Sequence, residues 1–114
     1  LLDDTLVICG GEFCRTSMME ARGGVTRFLG RDHHPHCFTM FFAGGGMKPG
    51  TVFGETDDLG YFITSGEVTV RDLQHTILHQ LGLDARKLAF PYQGLNQRLI
   101  GPAGEGAVRH ELLA

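Results

Sequence analysis

Thr5-Leu6-Val7-Ile8-Cys9, closed by Gly10-Gly11, is the stretch whose reading decides the fold. It carries no charge, and Thr5, Val7 and Ile8 are β-branched, which favours a strand. An unbroken apolar run lacks the alternation of a half-solvated strand. It fits a strand buried on both faces, as in a parallel sheet. Asp3 and Asp4 ahead of it suit a turn. In open α/β sheets, ligands collect past the carboxyl ends of the strands. Glu12 and Arg15 lie just beyond this one, either as site residues or as a surface ion pair.

A second run of the same character, residues 38–43, ends in Gly44-Gly45-Gly46. That triplet is either a nest of backbone N–H groups for an anion or a sharp turn. Between the two runs stands Gly30-Arg31-Asp32-His33-His34-Pro35-His36, with three histidines, a carboxylate and a guanidinium in seven residues. Imidazole with carboxylate suits zinc or another divalent metal. Adjacent side chains on an extended backbone point opposite ways. The expected arrangement is therefore one or two of Asp32, His33, His34 and His36 together with Glu12, brought to one edge by parallel neighbouring strands. Arg15 or Arg31 would hold an anionic group. The alternatives are a polar loop holding the start of the strand, or a structural zinc site from Cys14, Cys37 and a histidine.

Elsewhere the clearest element is a helix over 71–81. Thr69 is its N-cap and Asp72 completes a variant capping box. Leu73, Ile77, Leu78 and Leu81 form one apolar face, and Gly82 stops it. His75 and His79 lie four apart, with no third ligand near in sequence. Residues 18–30 read as an irregular loop with one helical turn near 18–22. Thr51-Val52-Phe53 reads as a short strand and 55–60 as a polar loop. Residues 90–99 read as an extended surface segment and 101–106 as a loop. Residues 107–113 read as a short strand or one helical turn.

The 114 residues fit one small domain, 1–114, and 17 glycines call for many turns. A net charge of −3 offers no footprint for nucleic acid. No apolar run approaches the roughly 20 residues of a membrane-spanning helix. Cys9, Cys14 and Cys37 are odd in number and irregularly spaced, so no disulfide framework is expected. The chain opens on Leu1-Leu2-Asp3-Asp4 and reads as a fragment of something longer.

Several stretches together resemble a sulfatase-like bacterial family of unknown function within the alkaline phosphatase superfamily. They are Thr5-Leu6-Val7-Ile8, Gly11-Glu12-Phe13-x-Arg15-Thr16, Gly30-Arg31-Asp32-His33-His34-Pro35 and Ala43-Gly44-Gly45-Gly46, then Gly54-x-Thr56-Asp57-x-x-Gly60-Tyr61, Val70-x-Asp72-Leu73 and the closing Glu111-Leu112-Leu113. The resemblance implies the carboxyl-terminal portion of a partial alkaline-phosphatase-like α/β fold, a mostly parallel sheet with few helices and long loops. It implies metal-dependent hydrolysis of sulfate or phosphate esters, with zinc, manganese or calcium as cofactor. In that superfamily a strand like the one over residues 5–9 ends in an Asp-His metal pair, and Glu12-Phe13 stands at that place here. Cys14 stands where the family usually shows glycine. A later histidine corresponds to His33, with Asp32, His34 and His36 as neighbours. The nucleophile would lie in an amino-terminal half outside this chain, so no catalytic residue is assigned and the fragment alone would be inactive. The implied partners are an anionic ester and either a second copy or the missing half, and the implied location is outside the cytoplasm. The rival expectation is a small non-catalytic domain that binds metal and self-associates.

Overall fold

The computed structural model describes residues 1–20, 30–101 and 105–114. The opening run forms β1, Leu6–Gly10, and the second run forms β4, Met40–Gly44. They pair antiparallel, with Ile8 opposite Phe42 and Cys9 opposite Phe41. β2 (Cys14–Met19) pairs antiparallel with β3 (Arg31–His34). β5 (Glu55–Thr56) pairs with β6 (Ile63–Ser65), and β7 (Ala89–Tyr92) with β8 (Leu95–Arg98). Four separate two-stranded ladders result, all antiparallel among the described residues. One α-helix, α1, spans Val70–Gln80, and a 3₁₀ turn covers His110–Leu112.

This corrects the expectation of a mostly parallel, alkaline-phosphatase-like sheet. Parallel neighbours need long crossovers, usually helical, that cover the sheet faces. One 11-residue helix among the described residues cannot supply them. An apolar run cannot by itself distinguish the two pairings, and here the strands pair antiparallel. The β7–β8 turn shows the local preference. Gln93 (φ 49°) and Gly94 (φ 78°) form a two-residue turn whose left-handed backbone matches the twist of an antiparallel pair.

Smaller expectations also shift. Met18 and Met19 belong to β2 and not to a helical turn, while 21–22 lie outside the described residues. Residues 51–53 form no strand, whereas Glu55 and Thr56 do. Where β5 and β6 converge, a Cβ on Gly54 would lie 2.9 Å from the Gly66 carbonyl oxygen, so only glycine permits the approach.

Burial is thin. Among the described residues the buried apolar side chains are Cys37, Ala85 and Ile100, and the buried polar ones are Thr16, His34, Asp72, His75 and Thr76. Val7, Ile8 and Phe41 of the opening ladder are exposed. Among the described residues no shared apolar core joins the ladders.

Candidate functional site

The candidate site lies on one face of the β2–β3 ladder. Arg15 sits directly opposite His33, so their side chains leave the same face. Glu12, two residues before β2, reaches both. Its Oε1 lies 3.0 Å from Arg15 Nη2 and 3.2 Å from His33 Nε2. Phe13 packs against the His33 ring at a centroid distance of 5.9 Å. Arg31 is two residues before His33 and shares its face by strand alternation. Glu12 and His33 therefore meet across an antiparallel ladder, not at the edge of a parallel sheet.

The other histidine-cluster residues go elsewhere. The Asp32 carboxylate accepts the His33 backbone N–H at 2.8 Å. His34 points to the opposite side and is buried, with Nε2 2.6 Å from the Tyr61 carbonyl oxygen. A carbonyl only accepts, so Nε2 carries the proton and donates. His34 also stacks on Tyr61 at 4.4 Å, and His36 packs beside it at 5.3 Å. Nearby, the Cys37 thiol donates to the Gly60 carbonyl at 2.8 Å. Burial, with the neighbouring Cys14 and Asp57 charges, pushes the Cys37 thiol above its ordinary range, so it stays protonated at neutral pH. Thr16 turns inward and its hydroxyl donates to the Met18 carbonyl.

Among the described residues no three His, Cys, Asp or Glu side chains are grouped so as to hold a metal ion. What the geometry offers is a pair, Glu12 and His33. Two donors on one tetrahedral zinc, each roughly 2.0–2.1 Å from it, stand about 3.3 Å apart. The observed 3.2 Å fits that spacing.

A second histidine group was only half legible in the sequence. His79 and His110 meet with rings 5.5 Å apart, and with His75 and Asp84 they line an open groove of about 680 Å³. His110 comes from the far end of the chain, so no local spacing could have announced it. His75 Nε2 is buried without a hydrogen-bond partner.

No curated protein and no solved structure matches this chain. One protein family does, and its match runs over residues 1–113. It is described as a protein of unknown function (DUF1501), and nothing in that match indicates the alkaline phosphatase and sulfatase superfamily. The sulfatase-like resemblance is corrected accordingly. Short glycine and histidine motifs recur in unrelated chains, and the antiparallel ladders do not carry the fold they implied. With nearly its whole length matched, the chain belongs to the DUF1501 family of proteins of unknown function.

Proposed function

We propose that the chain is a small metal-binding, self-associating module, and that its metal face is the Glu12–His33 edge of the β2–β3 ladder. The observation that carries the reading is the 3.2 Å approach of Glu12 Oε1 to His33 Nε2. Side chains this exposed contribute little to stability as an ion pair, about 0–1 kcal/mol, so the contact has little value as a structural brace. With two protein donors, the remaining positions on a zinc ion fall to water.

Zinc titration by calorimetry tests it. The wild-type chain should bind one ion. Loss of an outer-shell partner typically costs about 10–100-fold in affinity, and His33→Ala, which removes a ligand itself, should cost at least as much. Glu12→Gln should behave similarly, and His36→Ala should change little. No heat from the wild type sinks the reading.

A second reading is favoured by the guanidiniums of Arg15 and Arg31 on the same face. It takes this face as part of a metal-dependent hydrolase of sulfate or phosphate esters, with the arginines holding the anion. Arg15→Ala separates the two. Removing a cation beside the pair should tighten zinc binding, whereas an ester site should lose affinity for inorganic phosphate.

A further inference from the structure

Three imidazoles and one guanidinium, none of them paired with an acid, line a single groove. His75 and His79 come from α1, Arg86 from the turn that follows it, and His110 from the start of the 3₁₀ turn. The groove volume of about 680 Å³ suits a small molecule. The His79 and His110 rings stand 5.5 Å apart and both side chains are exposed. His75 is 4% exposed, and its Nε2 has no hydrogen-bond partner. Among the described residues no carboxylate pairs with any of the three rings or with the Arg86 guanidinium.

The unpaired groups set the sign of what would bind. Asp84 also lines the groove, but its carboxylate is engaged within its own turn. Its Oδ1 accepts the Arg86 backbone N–H at 2.9 Å, and its Oδ2 lies 3.5 Å from Lys87 Nζ. Arg86 is permanently charged, so a cation here would meet repulsion. Among the described residues no three His, Cys, Asp or Glu side chains are grouped so as to hold a metal ion. The carboxyl end of α1 disfavours an anion, but through a partial charge that salt screens. A full guanidinium charge with imidazole N–H groups beside it outweighs that effect. A buried polar atom without a partner is itself uncommon and calls for an explanation such as a bound group.

We propose that this groove binds a compact oxyanion, held by Arg86, His79 and His110, with the His75 ring buried in its wall. Guanidinium and protonated imidazole only donate, and an oxyanion only accepts, so every such contact is charge-assisted. Sulfate, phosphate and small carboxylates share that chemistry. The groove uses no residue of the Glu12–His33 face, so it goes beyond the function proposed for that face and does not depend on it.

Imidazole NMR signals of the six histidines test it, followed as sulfate replaces chloride. EDTA is present, the pH is about 6, and the ionic strength is held at about 0.15 M so that screening stays constant. The His79 and His110 signals should move together and saturate, while those of His33 and His36 stay still. Arg86→Gln and His110→Ala each remove one charge-assisted contact and should weaken binding about tenfold. Arg15→Ala, on the β2–β3 face, should leave it unchanged. A parallel titration with acetate separates the sources, because the tighter of the two anions tells a sulfate or phosphate group from a carboxylate. Signals of His79 and His110 that stay still in both anions overturn the proposal. So do shifts of equal size at His33 and His36, and so does a response that Arg86→Gln leaves unchanged or Arg15→Ala abolishes.

Discussion

The β1–β4 ladder and the α1 region invert the usual relation between polarity and order. The ladder is apolar on both faces, and its large side chains stand in solvent. The helix buries Asp72, His75 and Thr76 instead of its leucines. Those polar side chains grip the carboxyl-terminal segment by its backbone. The Ala107 N–H donates to Asp72 Oδ1 at 2.8 Å, and the Arg109 N–H donates to the Thr76 hydroxyl at 3.0 Å. Arg109 Nη2 donates to the Glu67 carbonyl, and Arg71 pairs with Glu105. The Gln80 amide reaches the Gly45 carbonyl at 2.7 Å, and the Ala114 N–H reaches Gly46 at 3.0 Å. Directional bonds hold the helix, the terminal segment and the glycine turn together within one chain. The ladder's apolar side chains Val7, Ile8 and Phe41 have no such bonds and stand exposed.

The sharpest way to break that contrast is to remove its most connected polar group. Asp72 accepts from the Thr69 N–H in the capping box and from Ala107 across the fold. Asp72→Ala removes a cap and leaves the Ala107 N–H without its acceptor, so it should cost about 2–4 kcal/mol by urea denaturation. If the loss is below about 0.5 kcal/mol, the polar network does not hold this region. The same carboxylate sets a pH dependence. Burial by itself would raise its pKa, but the N–H groups of Ala107 and Thr69, the Thr69 hydroxyl and the Arg109 guanidinium outweigh burial and hold it below the usual range. A depressed folded pKa means stability that is fully present above the unfolded value of about 3.9 and is lost as pH falls through the folded one. Melting temperature should therefore drop below about pH 4, and Asp72→Asn should flatten that drop.

Thr76 comes next. Its hydroxyl donates to the Asp72 carbonyl at 2.8 Å and accepts from Arg109, and its side chain is 1% exposed. Thr76→Val keeps the shape and removes the hydroxyl, leaving the Arg109 N–H unpaired at about 1–3 kcal/mol. The ladder side of the comparison predicts the opposite response to polarity. Phe41→Glu, at a 61% exposed position, should barely alter the chain's stability in the same urea denaturation.

The two regions also differ in how far the sequence announced them. The helix was legible because its signals are local. Thr69 and Asp72 form the capping box, and Gly82 follows with φ 73°. Its buried face was not legible. Leu73, Ile77 and Leu78 are only half-buried and Leu81 is exposed, because the element lying against α1 presents backbone N–H groups. The apolar run at Leu6–Gly10 announced a strand but not its partner's direction, which depends on contacts more than thirty residues away. β2 carries Cys-Arg-Thr-Ser-Met-Met, with no alternation to mark it. Glu12 and His33 were placed together for a parallel-sheet reason. They are in contact because Arg15 pairs with His33 on an antiparallel ladder, which no local pattern encoded.

The smallest effect separates the regions chemically, through their cysteines. Cys9 stands exposed on the ladder, whereas Cys37 is 3% exposed and its thiol donates to the Gly60 carbonyl. Thiolate is the reactive form, and burial with the nearby Cys14 and Asp57 charges holds Cys37 in the thiol form. Timed labelling with an aromatic disulfide at pH 8 should modify Cys9 well before Cys37. Cys37 reacting as fast as Cys9 would mean that the segment around Tyr61 opens as readily as the ladder edge. The contrast between a bonded region and an uncovered one would then fail at its smallest scale.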